Sequence, residues 1–352
     1  MGVIRGCSVL AAGLLALGCG CMSIPAGREL QREEQCRRDL ELARQLRRLD
    51  RAEGLEIVSE SAAELRASLA GELDREENQA FLRDTELLLK QLRIVKPSDD
   101  LKAMYLKIMA AQVAAYYDPV KKRVSYVENG GATAGNRAGV PGMERFVYVH
   151  EFCHAVEDAA FDLERLTKAS MSNFDRNQAL TSLVEGNAVL VGLDGLLTEV
   201  PMNTATPLGA FLVSLMGAMD VSEMMDEELG ECPSFLSGAL VRPYLDGGVF
   251  SNRLRRDGGW GRIDRVFRER LPETTAEILY PERRYLRLFR PHDIHISPDI
   301  LSSVPAVAAS VSTNRLGVMG IALWLGGAKI GAAHDFWFLK GWVGDKLFIV
   351  TD

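Results

Sequence analysis

The spacing of hydrophobic and polar positions changes along this chain, and each change marks an element. From Arg28 to Glu53 both charge signs are dense. Leu42, Leu46 and Leu49 recur there at helical spacing, which predicts an amphipathic helix closing near Gly54 with a solvated charged face. Helical patterns follow around Ser61–Ser68 and Glu76–Leu92. "KPSDDLKAMYLKIMAAQVAAYYD" opens on a Pro-Ser-Asp start signal and continues as a helix. At Tyr117 the period changes: "YYDPVKKRVSYVE" reads as a turn at Asp118-Pro119 and then an alternating strand, Arg123 to Val127. The glycine-rich "NGGATAGNRAGVPG" is expected to be a surface loop. It lacks Gly-Lys-Ser/Thr, so it is no phosphate-binding loop.

Helical period returns after Pro141-Gly142 and runs to about Leu163, and a second helix spans about Asp175 to Leu197. "PLGAFLVSLMGAM" is apolar throughout but too short to cross a bilayer, which predicts a buried helix. Beyond Pro243 the chain is richer in Gly and Pro. Short helices and strands are expected there, the last strand being "KLFIV". The apolar stretch 308–326 is broken by Asn314-Arg315, which argues against a membrane anchor. The fold expected is mainly α with a small β-sheet, an α+β architecture.

Charge and the N-terminus change this picture. A net charge of -7 on 352 residues argues against a nucleic-acid partner, which wants a basic face. "MGVIRGCSVLAAGLLALGCGC" carries Arg5, an apolar run from Val9 to Leu17 and then small residues, the pattern of a secretory signal. "LALGC" resembles the lipobox of bacterial lipoproteins, with Ala16 and Leu17 departing from the usual residues. That resemblance implies acylation of Cys19. An exported protein, held at the cell envelope by an N-terminal lipid anchor, is therefore expected. Cys21, Cys36, Cys153 and Cys232 show no disulfide framework and no CxxC.

The chemistry sits in "VHEFCHAVED". On a helix, positions i and i+4 lie about 40° apart and one turn apart, so His150 and His154 project side by side. Two imidazole nitrogens so placed can meet one zinc ion at about 2.0–2.1 Å. Glu151 points about 100° aside, suited to accept a proton from water at the metal rather than to bind it. With five histidines, chance yields His-Glu-x-x-His in roughly one such chain in two hundred, so a third ligand matters. The candidate is Glu185 in "TSLVEGNAVLVG". Its helical neighbours Thr181, Ala188, Val189 and Gly192 are small or apolar and turn it inward. If the two helices pair antiparallel, Glu185 comes level with His154. The alternative is a buried Arg or Lys partner for Glu185.

His-Glu-x-x-His on one helix and a glutamate on the next resemble the gluzincin group of zinc metallopeptidases. "HEFCHAVED", "LVEGNA", "RPYLDGGVF", "TTAEILYPERRY", the YDP segment and "GWVGD" are similar to a set of uncharacterised secreted or lipid-anchored bacterial and archaeal metallopeptidases. The resemblance covers roughly residues 100 to 350. It implies a zincin-like fold, Zn2+ on His150, His154 and Glu185, Glu151 as general base, and peptide or protein substrates. Val189 stands where the thermolysin type carries aspartate, and Tyr280 where histidine is expected. The division expected is a signal peptide at 1–18, a helical N-terminal region at 19–95 and a catalytic domain at 96–352. A non-catalytic envelope lipoprotein using the scaffold as a binding module is the alternative. Strand Arg123–Val127 is expected to offer an edge to an extended peptide.

Three other candidates are weaker. Cys153 lies inside the motif and is expected to pack. His292 and His295 suit an exposed loop pair. Tyr244 could supply a hydroxyl to an oxyanion, or sit with its ring in the core at a helix start.

Overall fold

The computed structural model describes residues 29–50, 54–112, 115–127, 143–218, 233–282, 285–287, 289–295, 297, 310–326 and 337–351. The N-terminal leader with Cys19, the glycine-rich loop, Cys232 and His334 lie outside the described residues. The elements are α1 (Glu29–Arg47), β1 (Glu56–Glu60), α2 (Ala62–Leu73), α3 (Glu76–Gln91), α4 (Leu101–Gln112), β2 (Ala115–Asp118), β3 (Arg123–Val127), α5 (Met143–Phe161), α6 (Leu163–Ser170), α7 (Phe174–Leu196), α8 (Pro207–Gly217), α9 (Ser234–Glu269), α10 (Thr275–Leu279), β4 (Ser310–Asn314), α11 (Gly317–Gly326) and β5 (Leu347–Thr351). The architecture is mainly helical with a small mixed sheet. β1 pairs parallel and β2 antiparallel with β3, while β4 and β5 form a separate antiparallel ladder.

Local signals account for several boundaries. Ser61 caps α2 and forms a reciprocal capping box with Glu64. The Asn173 side chain accepts from the Arg176 N–H at the start of α7. Thr206 caps α8, with Pro207 in its first turn. α1 ends at Arg47, short of Gly54, because Arg48 turns left-handed at φ 60°. Its face is not wholly solvated. Arg47 is fully buried between Glu157 of α5, 2.5 Å away, and Asp264 of α9, 2.8 Å away.

Two expectations are corrected by the helices. α8 is not buried all round: Leu208, Phe211, Leu212 and Leu215 are exposed, while Ala210, Val213 and Met216 face inward. Pro243 itself does not break the chain, and the short helices and strands expected beyond it begin only after Glu269, as α10, β4, α11 and β5. α9 continues unbroken through Pro243, kinks at Gly258 and Gly259, where Gly259 has φ 66°, and resumes to Glu269. Its first half is buried almost without interruption, so packing outweighs the local cost of the proline. A third correction concerns the sheet. β3 is the central strand, with β1 and β2 on either side, so it has no edge to offer a peptide.

α7 is the centre of the molecule. From Phe174 to Gly195 every residue except Arg176 is buried. α5 lies antiparallel against it, with Glu185 at the level of His150 and Gly192 against Phe146. α9 runs beside α7 in the same direction, Ser182 meeting Gly247 and Asp194 meeting Arg255. At that crossing the two backbones touch. A Cβ on Gly186 would stand 2.1 Å from the Gly247 carbonyl carbon, and one on Gly247 would stand 1.9 Å from the Ser182 oxygen. Only glycine permits this approach.

Candidate metal centre

α5 presents His150, Glu151 and His154, and α7 presents Glu185. Their exposures are 0%, 2%, 2% and 1%, so any charge among them must be met inside the protein. The His150 and His154 Nε2 atoms stand 3.1 Å apart. Glu185 Oε2 lies 3.1 Å from the first and 3.3 Å from the second. Atoms bound about 2.0–2.1 Å from a tetrahedral zinc stand about 3.3–3.4 Å from one another. The triangle of two nitrogens and one oxygen therefore fits a single small cation. His150, Glu151 and His154 also offer ligand atoms within 4.8 Å of one another, and this buried group could hold a metal ion. One Glu151 oxygen, Oε2, accepts the Tyr117 backbone N–H at 2.8 Å.

The electrostatics agree. Burial alone would lower His154 and raise Glu185. Their mutual attraction outweighs burial, taking His154 up to about 9 and Glu185 down to about 2. No Arg or Lys meets Glu185 among its described partners, which are the two histidines. The cluster thus favours positive charge, which a cation supplies. Metal-bound imidazoles generally donate their second N–H to an acceptor. Here the Nδ1 atoms of His150 and His154 are buried with no hydrogen-bond partner among the described residues.

The surroundings hold the rings in place. The imidazoles meet edge to face, centroids 4.7 Å apart at 86°. Tyr244 stacks on His150 at 5.8 Å and 14°. It does so from the middle of α9, not from a helix start. Cys153 is fully buried, and burial pushes its thiol well above the usual range, so it packs as a neutral side chain. His292 and His295 are exposed, the latter 3.4 Å from Asp293, and take no part in the cluster. Sequence reasoning missed the Tyr117 N–H and the Gly186–Gly247 contact. The signals were there, in the Tyr-Asp-Pro turn and in the glycines after Glu185 and Asp246, but neither names its partner.

No family model matches the chain, and no curated protein matches its sequence. A crystal structure from Chloroflexus aurantiacus, described as a candidate hydrolase with a novel fold, is similar over 79% of this chain and 94% of that one. The TM-score is 0.41 and the identity 17%. A likeness at that level transfers neither fold nor activity.

Proposed function

We propose that this chain is a zinc-dependent peptidase in which His150, His154 and Glu185 hold the ion and Glu151 is the general base. The observation that carries the reading is the convergence of two Nε2 atoms and one carboxylate oxygen, from two antiparallel helices, within 3.3 Å. Zinc bound there would lower the pKa of a water toward about 7 and polarise a carbonyl oxygen. Glu151 takes the proton from the attacking water and returns it to the leaving nitrogen. Tyr244 keeps the His150 ring in plane by stacking. The peptide bond as substrate rests on the resemblance to gluzincins in "HEFCHAVED" and "LVEGNA".

The apolar leader and Cys19 support an exported protein, lipid-anchored at the cell envelope and acting on peptides or proteins there. Fatty-acid labelling that survives Cys19→Ser would end that part. The near-complete burial of the cluster favours one rival, an envelope binding module whose zinc is structural. Glu151→Gln separates the two on a mixed peptide library. It should keep zinc and lose roughly 10²–10⁴ in rate. Full activity in that variant removes the mechanism, and zinc without turnover in the wild type favours the rival.

A further inference from the structure

We propose that Tyr117 and Asp158 form a two-point clamp that fixes the carboxylate of Glu151, making Asp158 a positioning residue for the base. The catalytic part of this proposal rests on the peptidase reading; the clamp itself does not. Glu151 and Asp158 are seven residues apart on α5, so they share a face about 10.5 Å apart along the axis. β2 lies against that face, and Tyr117 reaches both. Its backbone N–H donates to Glu151 Oε2 at 2.8 Å, and its phenol donates to Asp158 Oδ2 at 2.6 Å. All three residues are buried.

Asp158 is itself immobilised. Lys122 Nζ donates to its Oδ2 at 2.6 Å, and the Leu163 N–H to its Oδ1 at 2.8 Å. The turn between Tyr117 and Lys122 is built to deliver that lysine. Asp118 Oδ1 accepts the N–H groups of Val120 and Lys121 at 3.0 and 3.1 Å, and Lys122 turns back at φ 51°. Burial first, and then the Asp158 charge, push the Tyr117 hydroxyl far above the usual tyrosine range, so it stays a neutral donor. The Tyr-Asp-Pro segment thereby acquires a purpose: its tyrosine ties the base to a fixed anchor seven residues along the same helix. The plainer alternative is a buried Tyr–Asp pair that only fastens β2 to α5. It predicts lost stability without a specific change at Glu151.

The test uses the full zinc-loaded chain, with Tyr117→Phe as the mild variant and Asp158→Ala as the severe one. Amide exchange at residue 117 reports the hydrogen bond to Glu151 directly, and Glu151→Ala sets the scale for its loss. Both clamp variants should exchange there at least about tenfold faster than wild type. On a mixed peptide library, kcat should fall about 10–100-fold, with KM and zinc content within about twofold of wild type. Unchanged exchange in Tyr117→Phe overturns the clamp, whatever the activity. Faster exchange with unchanged kcat overturns the positioning role. A wild type that cleaves nothing ends the peptidase reading while leaving the exchange test in force.

Discussion

Replacing Gly186 by alanine tests how tightly the helix of Glu185 is pressed against α9. The new Cβ would stand 2.1 Å from the Gly247 carbonyl carbon, 2.2 Å from its oxygen and 2.7 Å from the Gly248 nitrogen. Ordinary contacts are about 3.4–4 Å, and every atom met is main chain, so no side chain can rotate away. The helices must part by more than about 1 Å. Overpacking of this kind costs about 1–3 kcal/mol, more than the gain of about 1 kcal/mol from Gly to Ala in a helix. α9 also carries Tyr244, so the His150 ring loses its support and zinc affinity should fall at least about tenfold. Gly71 in α2 is the internal control: a Cβ there meets nothing within 4 Å. Gly71→Ala should gain about 0.5–1 kcal/mol. Urea midpoints at constant m, with zinc affinity measured in parallel, separate the two. If Gly186→Ala is as stable as Gly71→Ala and binds zinc like wild type, the close-crossing argument is wrong.

Other expectations follow from buried charge. Arg47→Ala leaves Glu157 buried without its cation and should cost about 3–5 kcal/mol, whereas replacing Arg47 and Glu157 together by leucine should cost much less. A loss below about 1 kcal/mol in chemical denaturation would contradict this. Asp175 is buried, and burial pushes its carboxyl up to about 7 against hydrogen bonds from Thr275. Because the folded state holds this proton more tightly, its contribution is greatest below the ordinary carboxyl range and is lost as pH rises through about 7. At about 1.4 kcal/mol per unit, the loss between pH 4 and 7 is on the order of 4 kcal/mol. Asp175→Asn keeps an acceptor for Thr275 and should flatten that slope in a series of Tm measurements; an unchanged slope assigns the dependence elsewhere.

Spacing alone made α5, α7 and β3 legible, because their apolar positions recur at helical or alternating period, although α7 is buried on nearly every face. Gly192 against Phe146 and Glu185 against both histidines show the antiparallel pair that the helix lengths implied. β1 and β2 were not legible. "EIVSE" is five residues long and its partner β3 lies more than sixty positions away, so nothing local records the pairing. α9 was hidden for the opposite reason. Pro243 and the pair Gly247-Gly248 signal a break, yet burial against α7 holds the helix through them, and it kinks only later, at Gly258-Gly259. The glycines proved to be contacts, since Gly247 is where α7 presses closest. The exposed stripe Leu208, Phe211, Leu212, Leu215 could not be told from core by composition, because α8 is apolar on every face.

The central claim is that two helices hold one zinc ion through His150, His154 and Glu185. Elemental analysis of purified full-length protein tests it most directly. The account predicts about one zinc per chain in the wild type and in Glu151→Gln, and loss of zinc in His150→Ala and Glu185→Ala. A wild type that binds no zinc at micromolar concentration, or a Glu185→Ala variant that keeps full stoichiometry, would contradict it.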